Sequence, residues 1–154
     1  MRSYGAVDAG FIDSLQAIAG DRVLTAAAVR EQHGRDESYH PAHAPDAVVR
    51  VASTEEVAAV LRLCSQHRIP VVAYGAGTSL EGHIAAVHGG VCIDLSAMDR
   101  VLQIRAPDLD VSVQAGVSRE ALNRQLRDTG LFFPIDPGAN ATLGGMAATR
   151  ASGT

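Results

Sequence analysis

Tryptophan is absent from this 154-residue chain, and cysteine occurs only twice, as Cys64 and Cys92. Two cysteines in apolar surroundings make no disulfide framework; the expectation is two buried thiols in a reducing compartment. No apolar run approaches the ~20 residues that a membrane-crossing helix needs. No signal-peptide hydrophobic region follows Met1-Arg2-Ser3-Tyr4-Gly5. The expectation is a cytoplasmic protein, with room left for a peripheral contact at the inner face of a membrane through regions outside this chain. A basic excess is also missing. The net charge is −4, which argues against nucleic acid as a partner.

What the chain has is apolar content and glycine. Hydrophobic residues make up 47% of it, enough for a globular core. The run Val71-Val72-Ala73-Tyr74-Gly75-Ala76-Gly77-Thr78-Ser79-Leu80-Glu81-Gly82 couples a β-branched strand to a loop with little side-chain bulk. Such a loop can turn several amides into one concavity and bind phosphate oxygens without a charged side chain. A second cluster, Pro137-Gly138-Ala139-Asn140-Ala141-Thr142-Leu143-Gly144-Gly145, suggests a long ligand touched twice.

Phe11, Leu15 and Ile18 fall at helical spacing, with Asp8 as a cap and Gly20 as a stop. A second short helix is expected over 25–31, then a polar loop over 33–38 prolonged by Pro41 and Pro45. Residues 48–51 read as a strand. Ser53-Thr54-Glu55-Glu56 has capping-box spacing and opens a helix with Val57, Val60, Leu61 and Cys64 on one face. That helix ends near His67-Arg68 before Pro70, and 69–74 resumes as a strand parallel to the first. Residues 91–95 form a third strand. Residues 101–105 and 111–115 form a hairpin around a five-residue loop. Ser118 caps a helix carrying Leu122 and Leu126, closed by Gly130. The fold class expected is α+β: a small parallel βαβ unit followed by a mostly antiparallel unit. No element closes at Ala151-Ser152-Gly153-Thr154, so the second unit is expected to be incomplete and the chain a piece of a longer protein.

Three glycine-loop designs compete for the first cluster, beside a plain tight turn. A Walker A loop is excluded, because no lysine follows any glycine. A Rossmann fingerprint is met by Gly75 and Gly77, and Asp94 stands near the place of a ribose-binding acid. It fails at the third glycine, where Leu80 stands, and 81–90 lacks a helical stripe.

The third design rests on a series of motifs in order. These are Asp36-Glu37-Ser38-Tyr39-His40, Pro45-Asp46-Ala47-Val48-Val49, Ser53-Thr54-Glu55-Glu56-Val57, Gly77-Thr78-Ser79-Leu80-Glu81-Gly82, and the long stretch from Asp136 to Thr154. From about His33 onward the chain resembles the FAD-binding (PCMH-type, vanillyl-alcohol-oxidase-like) domain of the D-lactate dehydrogenase / glycolate oxidase FAD subunit family. The resemblance implies an FAD-binding domain over 45–154, preceded by a helical segment and loop over 1–44. It implies that the pyrophosphate lies against Gly75, Ala76, Gly77, Thr78, Ser79 and Leu80. It places Pro137, Gly138, Ala141, Thr142, Gly144 and Gly145 along the flavin and its ribityl–phosphate chain.

Some relatives attach FAD through a histidine in the phosphate loop. Thr78 stands at that position here, so non-covalent FAD is expected, with His83 the one local candidate to overturn it. The implied reaction is oxidation of D-lactate, glycolate or a similar 2-hydroxyacid to its 2-oxoacid, with electrons passed to a quinone, cytochrome or flavoprotein. The alternatives are another flavin oxidase or synthase of the same superfamily, or a non-catalytic FAD-binding subunit. No catalytic residue and no metal ligand is assigned: the resemblance puts both, with any divalent metal, outside this chain, which alone should be catalytically silent. His40-Pro41-Ala42-His43 reads as loop histidines, since zinc needs three or four convergent ligands. Glu81 is expected to brace the loop by accepting backbone N–H bonds, with a catalytic carboxylate as the alternative. Asp136 either braces the backbone beside the second cluster or contacts the cofactor. Arg150 is a candidate to balance phosphate or reduced-flavin charge.

Overall fold

The computed structural model describes residues 4–153; Thr154, the end of the last motif, lies outside the described residues. Eleven regular elements carry the fold. Helix α1 (Ala9–Ala19) starts where the Asp8 carboxylate accepts from the Phe11 amide, and Gly20 ends it at φ +61°. The two-residue strand β1 (Val23–Leu24) and the helix α2 (Ala27–Gln32) follow. Then come β2 (Ala47–Arg50), α3 (Thr54–His67), β3 (Val71–Tyr74) and β4 (Val91–Asp94).

These strands form one sheet in the order β1-β2-β4-β3, with β1 antiparallel and the rest parallel. The two strands of the βαβ unit are parallel, as their spacing predicts, but they are not neighbours. β4 slides between them, Val48 and Val72 both facing Cys92 in register. Burial explains this. β4 reads Val-Cys-Ile-Asp and is buried at every position, as a central parallel strand should be.

Helix α3 has half of the expected capping box. The Ser53 hydroxyl accepts from the Glu56 amide at 3.2 Å. Glu56 does not return the bond to Ser53; it accepts from the Ala52 amide and pairs with Arg22 at 2.6 Å. Val60 and Cys64 are buried and Val57 packs beside them, but Leu61 points away and is 45% exposed. The apolar stripe is narrower than the sequence suggests, and Leu63 flanks it instead. Thirteen buried residues from α1, β1, β2, α3, β4 and the connections form one core. The segment before residue 45 thus packs into the same core as the sheet, through Phe11, Leu15, Ala19 and Val23.

The second unit is smaller. Strands β5 (Val101–Arg105) and β6 (Asp110–Val113) make the expected hairpin, turned by a 3₁₀ turn at Ala106–Asp108 with Leu109 in the left-handed region. Helix α4 (Arg119–Leu126) is capped by Ser118. Helix α5 (Leu143–Thr149) starts at the end of the second glycine cluster, a helix that the sequence reading did not name. Among the described residues, Val117, Leu122 and Leu126 are the buried centre of this unit.

Candidate functional site

The glycine loop leaves β3 at the carboxyl edge of the parallel strands, where open α/β sheets bind ligands. Gly77 turns at φ +68°, and a side chain there would run into the Tyr74 hydroxyl. Gly75 abuts the other cluster directly: a Cβ on it would meet the Thr142 hydroxyl oxygen. Both glycine clusters therefore wall one cavity of about 510 Å³, a size ordinary for a cofactor cleft.

The first wall contributes all six expected residues, Gly75, Ala76, Gly77, Thr78, Ser79 and Leu80. The second contributes Pro137, Ala141, Thr142, Gly144 and Gly145. Gly138 is the exception. It turns at φ +85°, gives its amide to the Asp136 carboxylate at 2.9 Å, and does not line the cavity. Tyr74, Ala115, Met146, Thr149, Arg150 and Ser152 also line it; of these only Ala115 lies outside the two stretches that the sequence singled out.

Hydrogen bonding shows what the walls can still offer. The amides of residues 75–80 donate to no protein acceptor among the described residues. A loop that lines a cavity with unpaired N–H groups fits an anionic, oxygen-rich ligand. Thr142 caps α5 by accepting from the Gly145 amide, which leaves its hydroxyl proton to donate inward. The Ser79 hydroxyl is already engaged with the Glu81 carboxylate, and His83 lies 4.0 Å from the same carboxylate. Glu81 thus braces the loop through a side chain, not through backbone amides. Arg150 caps α5 in the left-handed region, lines the cavity and has no carboxylate partner among the described residues. The chain's donors fit a phosphate-bearing nucleotide.

A strap holds the first wall from outside, and sequence reasoning missed it. Arg35, Asp36 and Glu37 read as a weak surface ion-pair loop. Instead the Glu37 amide donates to the Ser79 carbonyl at 3.1 Å, and the Asp36 carboxylate accepts from the Gly82 amide at 2.9 Å. Asp36 also accepts from the Ser38 amide, an Asx turn that the D-x-S spacing signals. Burial pushes the Asp36 carboxyl up, but bonds from Ser38 and Gly82 outweigh it and hold it below the usual range.

Asp94 is placed where it can bind no ribose. It is buried at the end of β4, accepting from Arg50 Nε at 3.1 Å, from the Ser96 amide at 2.8 Å, and lying 3.3 Å from His33 Nε2. Burial pushes its carboxyl up; these bonds, led by Ser96, more than reverse that. No helix follows the glycine loop, so the Rossmann alternative fails on both counts. Cys64 and Cys92 are buried free thiols, pushed by burial to about 11 and about 12.

Comparison with known proteins agrees with this geometry. The FAD binding domain family matches residues 45–154. The probable mitochondrial D-lactate dehydrogenase of Danio rerio is 51% identical over 144 residues, covering 93% of this chain and 29% of that protein. The mitochondrial D-lactate dehydrogenase [cytochrome] of Arabidopsis thaliana is 44% identical over 98% of this chain and 27% of its own length. The glycolate oxidase subunit GlcD of Bacillus subtilis is 37% identical over 66% of the chain and 22% of that protein. The chain spans less than a third of the length of these relatives. Among solved structures, an alkyldihydroxyacetonephosphate synthase superposes with a TM-score of 0.87 at 26% identity, over 99% of this chain and 31% of that one. These neighbours bear out the PCMH-type α+β fold expected from the resemblance. The chain belongs to the FAD-binding domain family, with D-lactate dehydrogenases and a glycolate oxidase subunit among its relatives.

Proposed function

We propose that the chain is the FAD-binding part of a dehydrogenase that oxidises D-lactate or a similar small 2-hydroxyacid. The carrying observation is the single cavity walled by both glycine clusters, with the 75–80 amides free to meet phosphate. When bound, FAD supplies a two-electron acceptor; the chain's part is to bind and orient it. The amides from Gly75 to Leu80 take the pyrophosphate. Gly144 packs against Ala115 and Gly145 against the Thr142 hydroxyl, so α5 brings its backbone to the cavity with no side chain at either position. Arg150 supplies a positive charge beside the cofactor.

FAD is held without a covalent bond, because Thr78 offers only a hydroxyl where a histidine would be needed. The substrate base, the carboxylate-binding groups and any divalent metal lie outside this chain. Electrons leave to a quinone, cytochrome or partner flavoprotein. The support for the substrate class is the set of D-lactate dehydrogenase and glycolate oxidase relatives. The structural likeness to a synthase keeps a second flavoenzyme activity in view.

The intact native protein tests this. Purified and supplied with FAD, it should retain a yellow chromophore through gel filtration and release free FAD on denaturation. D-lactate should reduce an artificial electron acceptor through it. A folded protein that stays colourless refutes the cofactor; flavin that remains attached after denaturation refutes the non-covalent mode. A flavoprotein inert to D-lactate and glycolate refutes the substrate class and favours the synthase alternative.

A further inference from the structure

The second wall has its own anchor outside the cavity. Segment 136–142 lies across the first turn of α4, and that turn's amides are used on it. The Arg119 amide donates to the Ala141 carbonyl at 3.0 Å, and the Glu120 amide to the Asn140 side-chain oxygen at 3.2 Å. The Ala121 amide is capped by Ser118, and Ser118 bridges Thr142. No backbone donor of these three residues remains for a ligand, so the start of α4 is an attachment point.

Asp136 is where three stretches of chain meet. One carboxylate oxygen turns the loop by accepting from the Gly138 amide at 2.9 Å. The other is 3.2 Å from Arg119 Nη1. Behind it, Gly153 packs so closely that a Cβ would overlap the Asp136 backbone. Neither Arg119 nor Asp136 lines the cavity, but Pro137, Ala141 and Thr142 on one side of Asp136, and Ala151 and Ser152 on the other, do.

We infer that Arg119 and Asp136 form a positioning pair that fixes the second wall of the cavity and so sets how tightly and in what orientation FAD is held. The inference rests on FAD occupying the cavity. The pair touches no cofactor atom and acts only through residues 137–142 and 151–153. Asp136 is 43% exposed, so solvent screens the pair and its charge attraction adds little to folding stability. Their effect therefore falls on position: small displacements of a binding wall cost binding and rate heavily. The contact is a single Nη1–Oδ2 approach, not a two-pronged one, so an ammonium group can replace the guanidinium.

The test uses the intact native protein stripped of flavin and titrated with FAD. It compares wild type with Arg119→Gln, Arg119→Lys, Asp136→Asn and the Arg119→Gln/Asp136→Asn double variant. Affinity, visible circular dichroism of the bound flavin and the unfolding temperature of the FAD-free form are read together. Arg119→Gln and Asp136→Asn should each weaken FAD about tenfold and alter the flavin dichroism, with the FAD-free unfolding temperature little changed. The double variant should be no worse than either single one, and Arg119→Lys should recover most of the affinity. Wild-type affinity and dichroism in Arg119→Gln would overturn the inference. So would losses that simply add in the double variant, or that track a lowered unfolding temperature. A wild type that takes up no FAD would overturn the cofactor assignment itself, and the inference with it.

Discussion

The two walls of the cavity are made of similar residues but rest on different foundations. The first rises from a four-stranded sheet backed by α1 and α3, over thirteen buried side chains. The second rises from a two-stranded hairpin and short helices over three. An isolated hairpin is marginal in water; hydrogen bonds to α4 hold this wall where apolar burial is thin, and the Arg119–Asp136 pair sets its position.

The largest effect expected on this contrast is from Phe11→Ala. Phe11, on α1, is buried against His67 at the end of α3, and its loss should cost about 3–5 kcal/mol. Chemical denaturation should show it as a lowered midpoint for the whole chain. If only α1 frays, the first unit is not the single foundation described. Leu122→Ala comes next, at about 2–3 kcal/mol. Hydrogen exchange should speed in β5, β6 and α4 while β2 and β4 stay protected. Uniform loss of protection would mean that the two units unfold as one.

Acid should separate them by a smaller margin. The folded Asp94 carboxyl lies below its usual range. Its stabilisation is present above the unfolded value near pH ~4 and is lost as pH falls through the folded value. No carboxylate of the second unit is buried among the described residues. The first sheet should thus carry the steeper acid loss, measured by circular dichroism against pH, and Asp94→Asn should flatten it. The smallest effect is from Thr142→Ala, which removes the α5 cap and should cost about 1 kcal/mol. That loss should appear as exchange at the amides of 144–146.

Much of this was legible in the chain itself. Asp8, Ser53 and Ser118 each cap the helix they announce, because a cap is a local bond. The glycine clusters announced their cavity because backbone without side chains has few other uses near a strand end. Strand order was not legible: alternation and apolar runs give direction and burial but not neighbours, so β4 between β2 and β3 came only with the fold. Helix α5 was hidden by Gly144 and Gly145, which weaken helix propensity. β1 is too short to carry a pattern. The Asp36 strap and the Arg119–Asp136 pair link residues distant in sequence, and such links leave no local trace.

The central claim is that both walls grip one flavin nucleotide. Hydrogen exchange on the intact native protein, with and without FAD, tests it most directly. The amides of 75–80 and those of 137–150 should gain protection together, at the same FAD concentration. Protection confined to one of these segments, or arising elsewhere in the chain, would contradict it.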